Sequence, residues 1–401
     1  MKLLRYVEPR STTLMFLLAV ACLAVSAPAS AQARRPTPPR PVDRKKEARK
    51  VPPLHMTLDW SATLSAPPAG GMASDDTHAF VPLRTGELAA VSLTDGRILW
   101  TAPAKAAAPL ATGEGHVFLA AQNRLQALAI DTGKPTWDIA APGLVTAPLV
   151  WQNGWLLASN EAGDLVMFRA ATGELLWRRP MGAPIRVRPV LADDHVYCLL
   201  EDGRALALAL ATGNVVWDAK LPANGTMLHV IGDRLFVGGG DRYFYCLDAL
   251  KGNRKWRWRT GGAIVGTVAA DQDNVYFVSL DNVLRALNRA HGDQRWKASL
   301  PTRPTAGPFL HAGLLLVAGR APALTAYQLV DGSPAGSVEL AGEPAGPPHF
   351  VPMPDSQSAR IVLVTGEGEI QMLVPGPAPI VPKPILGLPM YLALPAWTAA
   401  E

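Results

Sequence analysis

Three histidines stand at matching places along the chain: His78, His116 and His195 each precede a β-forming pair, Ala79-Phe80, Val117-Phe118 and Val196-Tyr197. Histidine is a common transition-metal ligand, but a metal needs its ligands to converge on one point. Residues recurring at one place in successive repeats are set apart from each other, so these three read as surface turn residues. His229, His291 and His311 are isolated in sequence. Asp75-Asp76 and Asp193-Asp194 offer the paired carboxylates of acid–base catalysis. Both pairs occupy the same type of inter-strand turn and read as solvated. Gly238-Gly-Gly-Asp241 reads as a flexible turn. The chain has no Gly-x-Ser-x-Gly elbow, His-Glu-x-x-His or phosphate-binding loop. Arg186 and Arg188 flank the start of a short apolar run, and Arg303 holds an analogous place further on. Such cations, gathered at the mouth of a cavity, would attract an anion or an acidic partner surface.

The elements that must position these groups are set by a period. Six segments end in Gly-x-x-x-Trp: Gly96 with Trp100, Gly133 with Trp137, Gly173 with Trp177, Gly213 with Trp217, Gly252 with Trp256 and Gly292 with Trp296. The Trp spacings are 37, 40, 40, 39 and 40. Trp60 lies 40 before Trp100, and Gly332 lies 40 after Gly292, although Gly336 stands where its Trp is expected. A period near 40 belongs to propellers or helical repeats, and the content of each unit decides. In residues 144–178 the apolar runs Leu144–Val150, Trp155–Ser159, Asp164–Phe168 and Glu174–Trp177 are separated by Asn-Gly, Ala-Gly and Thr-Gly turn signals. No unit holds a helical run of the length a helix pair needs. Each repeat is therefore expected to be a four-stranded antiparallel blade. A blade exposes two apolar faces, so blades stack and close into a ring. Residues 54–374 comprise 321 positions, enough for eight such units. The eighth blade is expected to be sewn from both termini, with three strands from 345–374 and the Trp strand from 54–60. The expected fold is an all-β, eight-bladed β-propeller, its first strands lining a central channel with Arg186, Arg188 and Arg303 at its mouth.

Composition fits this picture. Hydrophobic types make up 49% and charged types 18%, with 35 Gly and 37 Pro, which favours many short strands over long helices. Of the net charge of +5, residues 1–31 carry +2 and residues 32–53 carry +6, leaving −3 on the remainder. A mildly acidic body argues against nucleic-acid binding. Residues 1–31 read as a secretory signal: Lys2, Arg5 and Arg10, an apolar run Leu14–Val25, then Ala29-Ser30-Ala31 as a cleavage site. Ala19-Val20-Ala21-Cys22 offers the competing reading of a lipidated Cys22. Residues 32–53 are basic and Pro-rich and read as a disordered spacer, with peripheral contact to anionic lipid as the sharper alternative. Residues 375–401 form a Pro-rich apolar extension expected to pack on the propeller rim, or else to meet a partner or membrane. Cys198 and Cys246 fall in different repeats and read as small buried hydrophobes.

The consensus Ala-Leu-x-x-x-Thr/Asp-Gly-x-x-x-Trp, as in Ala127-Leu128 through Thr132-Gly133 to Trp137, resembles the tryptophan-docking repeat of pyrroloquinoline-quinone-type propellers over about 80% of the chain. The resemblance implies that the repeat Gly turns the chain and that each Trp packs between neighbouring blades. Trp60, Trp100, Trp137, Trp177, Trp217, Trp256 and Trp296 are then structural, as are Gly96, Gly133, Gly173, Gly213, Gly252, Gly292 and Gly332. One branch of the family comprises quinone- and calcium-dependent dehydrogenases, whose site includes a disulfide between adjacent cysteines. This chain has no adjacent Cys pair. Asp four residues before the repeat Gly survives only as Asp248, and repeats of 37–40 residues leave no room for site-building insertions. The other branch is the propeller subunit of the outer-membrane β-barrel assembly machine, similar in length, repeat spacing and export signal. It implies a non-enzymatic periplasmic scaffold without cofactor or metal, monomeric, docking on a protein partner of the cell envelope such as the barrel-inserting outer-membrane subunit. The alternative is a quinone-dependent dehydrogenase or other ligand-binding propeller.

Overall fold

The computed structural model describes residues 50–106, 109–353 and 358–376. Residues 1–31, read from sequence as a secretory signal, residues 32–49 of the expected spacer and the expected extension beyond Gly376 lie outside the described residues. The described residues form eight four-stranded antiparallel sheets, each a blade of a β-propeller. Blades one to seven run in chain order over 73–103, 111–140, 150–180, 190–220, 225–259, 264–299 and 304–339. Blade eight takes His349–Pro352, Ala359–Val364 and Glu369–Pro375 from the end of the described chain and Met56–Thr63 from its start, the latter paired antiparallel to Glu369–Pro375. Both ends therefore close the ring.

The core lies between the blades. Eight clusters of buried apolar side chains each draw on two consecutive blades, including blades eight and one. This follows from the pattern within each strand. The two middle strands of a blade, such as His195–Leu199 and Arg204–Ala209, are buried on both faces and read as near-continuous apolar runs. The outermost strands alternate, and bury mainly their Trp. Because a middle strand is apolar on both sides, each blade needs a neighbour on each side.

The Trp positions act across these seams. The indole N–H of each repeat Trp from Trp60 to Trp296 donates to a backbone carbonyl of the next blade at 2.7–3.4 Å. Each indole also covers the repeat Gly of that next blade. At Gly133, φ is +67° and a Cβ would lie 2.5 Å from the Trp100 ring, so both backbone and packing require glycine.

The innermost strands depart from the sequence expectation. The run Leu144–Val150 is not one strand: Val145 makes an isolated bridge to Asn160, and the paired strand is Val150–Gln152. Pro148 between them has no N–H for the ladder. The same split, a bridge followed by a short strand, recurs at Ile185 and Val190–Ala192, with Pro189 between. Blades five to seven instead keep longer innermost strands, Gly225–Ile231, Ile264–Ala270 and Pro304–His311, interrupted by register shifts. His78, His116 and His195 are the first residues of second strands rather than turn residues, and each ring lies over the aromatic two positions on.

Blade seven is where the repeat lapses. Gly336 replaces its Trp, and no hairpin joins the last two strands of blade eight, so the turn on which a Trp would dock is missing too. Leu54 fills the gap: it is buried, and its N–H donates to Ala335 O at 2.7 Å. Residues 50–53, read from sequence as the end of the disordered spacer, continue along the same edge. Lys50 Nζ pairs with Asp331 at 2.8 Å, and Val51 exchanges backbone hydrogen bonds with the Gln328 amide.

Candidate functional site in the central channel

Innermost strands of successive blades face one another around the ring axis. Between blades three and six they enclose a cavity of about 550 Å³ lined by Trp151, Gln152, Arg186, Arg188, Thr226, His229 and Thr267, among others. The local sequence explains why these side chains are available. A split or bulged strand bends and leaves side chains outside the ladder, and Arg186 and Arg188 sit in such a split between the Ile185 bridge and Val190.

The two arginines differ. Arg186 is ion-paired with Glu201 on its own blade. Arg188 has neither an ion-pair nor a hydrogen-bond partner among the described residues, and burial lowers its pKa. Its charge reaches His349 on the innermost strand of blade eight. Burial lowers the His349 pKa, the Met72 backbone works against that, and the Arg188 charge adds a smaller lowering. His349 Nδ1 is hydrogen-bonded to Ser74 Oγ at 2.8 Å, linking blades eight and one at the channel wall. Burial also lowers the pKa of His229. Trp151 is seated where Gly113 leaves room, since a Cβ there would lie 2.0 Å from the indole. Its buried Nε1–H has no partner among the described residues. The wall thus holds unpaired donors, Arg188 and Trp151, and suits a ligand or partner group rich in acceptors.

The hydroxyls of the wall are already committed. Thr226 donates to Ile264 O at 2.9 Å and Thr267 to Pro308 O at 3.1 Å, each tying one innermost strand to the next. The cavity lining contains no carboxylate and no thiol. A quinone with its calcium ion needs hard anionic oxygen ligands, so this lining does not fit that pair. Cys198 and Cys246 are free and buried in separate blades, and burial pushes both thiols up to about 12, so neither is a thiolate at neutral pH. Among the described residues no three His, Cys, Asp or Glu side chains are grouped to hold a metal.

Of the sequence-predicted contact residues, Arg186 and Arg188 meet at one cavity. Arg303 stands apart from it, just before the innermost strand of blade seven, where its carbonyl accepts from Arg320 N at 3.0 Å. Trp151 and His349 were not singled out in sequence, and His229 was set aside there as isolated. Their signal is their place in the first apolar run of a repeat, which becomes visible only when the ring sets those runs side by side.

A family model described as outer membrane protein assembly factor BamB matches residues 57–149, 140–231, 201–310 and 282–374. The chain belongs to the BamB family. It is similar to the BamB of Bordetella pertussis, at 25% identity over 351 residues that span 80% of this chain and 88% of that one. With the BamB of Shewanella oneidensis it shares 23% identity over 207 residues, 47% of this chain and about half, 52%, of that protein. A quinoprotein ethanol dehydrogenase of Pseudomonas aeruginosa is 32% identical over 103 residues, 25% of this chain and 15% of the dehydrogenase. Among solved structures, BamB from Moraxella catarrhalis superposes with a TM-score of 0.63 at 16% identity, covering 79% of this chain and 97% of that one. At that identity the likeness carries the fold.

Proposed function

We propose that the protein is a non-enzymatic, protein-binding scaffold of the cell envelope, exported to the periplasm, that acts in outer-membrane β-barrel protein assembly. Membership of the BamB family supports the setting. The observation that carries the mode of action is Arg188, a cation without a partner among the described residues, in a cavity lining without carboxylate or thiol, arranged to receive an acidic or acceptor-rich group rather than to transform a substrate. The partner is a protein of the envelope, in this reading the barrel-inserting outer-membrane subunit, and Arg186 and Arg188 are its contacts at the channel mouth. Arg303 forms a separate contact. Residues 1–31 direct export, 32–49 space the propeller from the membrane, and the chain works as a monomer.

The test is in-cell crosslinking of full-length protein followed by mass spectrometry, with and without Arg188→Glu. Recovery of the barrel-inserting subunit by the parent, and its loss in the variant with the thermal unfolding midpoint unchanged, is the expected result. Equal recovery with the variant removes Arg188 from the contact. Capture of an unrelated envelope enzyme in place of that subunit retires the assembly role. The dehydrogenase reading, supported by quinoprotein matches over about a quarter of the chain, requires bound-cofactor absorbance on adding pyrroloquinoline quinone and Ca²⁺; none is expected.

A further inference from the structure

Every blade ends in an outermost strand whose far edge has no neighbouring strand in its sheet, although on blade seven the Leu54 N–H occupies part of that edge at Ala335 O. The eight strands occupy equivalent places, so they serve as controls for one another. On blade five that strand is Arg254–Arg259, with Arg254, Lys255, Arg257 and Arg259 among its six residues and no carboxylate. No other outermost strand has more than two cations, and those of blades one, two, seven and eight have none. The two on blade three are engaged: Arg178 pairs with Asp164, and Arg179 donates to Thr212 O at 2.7 Å. On blade five, Lys255 pairs with Asp248 at 2.9 Å and Arg257 lies 4.7 Å over the Tyr243 ring. Arg254 and Arg259 have no ion-pair partner among the described residues.

Cations on an exposed edge can simply discourage sheet-to-sheet aggregation. That role would apply to all eight edges, yet blade one presents Ile98 and Leu99 and blade four Val215 and Val216 at exposed positions of theirs. The charge of blade five is thus specific to it, in a body that is otherwise net acidic. The pairing register shows how the strand is oriented. Arg257 lies opposite Tyr245 and Arg259 opposite Tyr243, whereas Trp258 lies opposite Phe244. Tyr243 and Tyr245 belong to the core shared with blade four, and Phe244 and Trp258 to the core shared with blade six. Two exposed arginines therefore share one face of the edge, and a half-buried indole lies on the other.

We propose that the outer edge of blade five adds an extended partner segment of acidic–apolar–acidic pattern as a fifth strand. Main-chain hydrogen bonds hold the segment, its carboxylates stand across from Arg257 and Arg259, and its apolar residue lies beside Trp258. Residues two apart on a strand recur about 7 Å apart and meet their cross-strand partners at about 5 Å, so this alternation places each acid on a cation. This surface is distinct from the channel and does not rest on the scaffold reading.

The experiment titrates fluorescently labelled decapeptides into the full-length protein: one of alternating Glu and Val, one of the same composition with the glutamates in a block, and one of alternating Lys and Val. Saturable binding of the Glu–Val peptide, weakened about tenfold or more by R257E/R259E, is expected. The Lys–Val peptide should bind that double variant in preference to the parent. Thermal midpoints and partner capture in cells control for folding. Equal binding of alternating and blocked peptides overturns strand addition. Binding to phosphatidylglycerol vesicles lost in R257E/R259E, without peptide binding, assigns the patch to lipid and overturns the proposal. Absence of peptide binding with partner capture intact overturns the blade-five proposal alone.

Discussion

Asp281 shows how single polar residues brace the turns between blades. Burial works against its ionisation, but hydrogen bonds from Arg285 and Ser279, the Arg285 charge and the Gly261 N–H outweigh that and hold its pKa at about 2. Arg285 is itself buried and gives one guanidinium nitrogen to Ser279 Oγ at 2.6 Å and another to Asp281 at 2.5 Å. The folded-state pKa lies below the unfolded value of about 3.9. The contribution to stability is therefore complete above pH 4 and is lost as pH falls from there towards 2, amounting to about 2 kcal/mol. Asp281→Asn should lower stability by about that much at pH 7, with the gap to the parent closing as pH approaches 2. Urea midpoints measured across this range check it, and a gap that stays constant with pH would show that the carboxylate charge is not the cause. None of this was legible in sequence, where Asp281 is one more turn carboxylate and Arg285 one more surface cation.

At the scale of the strand, the repeat was readable because it is enforced twice, by the Gly that turns the chain and by the Trp that covers it. Both residue types act together at seven of the eight seams, so both stand in register there. The innermost strands were less readable. Their apolar runs continue through Pro148 and Pro189, and composition does not reveal where the ladder stops and a lone bridge takes over. The lapse at Gly336 was visible, but its replacement was not, since Leu54 lies at the other end of the fold in sequence. Leu54 now has a defined task at the seam between blades seven and eight. Leu54→Ala should cost about 2–3 kcal/mol and should speed exchange of amides along Pro334–Glu339 before those of blade four. An unchanged midpoint and uniform exchange would mean that the seam is held without it.

The described residues hold no single core, only eight shared ones, and the integrity of the ring depends on the last seam to form. A chain ending at Gly342 loses three strands of blade eight and with them the cores shared with blades seven and one. Such a chain should lose its single cooperative unfolding transition, and limited proteolysis should cut first within Met56–Thr63, which is left without a neighbour. Retention of a sharp transition would show that seven blades suffice. The channel was only partly foreseeable for a related reason: Arg188 on blade four and His349 on blade eight share a channel only once the ring closes, and no local pattern records it. Arg303 looks equivalent to Arg186 and Arg188 in the repeat but is carried round the ring, away from their cavity.

The pairing of Thr63 with Glu369 also imposes an order in time. Met56–Thr63 is among the first parts of the propeller to be made and the last to be placed, because its neighbour follows roughly 300 residues later. Delivered N-terminus first, that strand stays without its neighbour while blades one to seven stack behind it. A finished ring is thus a record of complete delivery: a chain stalled anywhere before blade eight keeps its leading strand unclaimed, exposed to proteases and to any chaperone that reads an open strand.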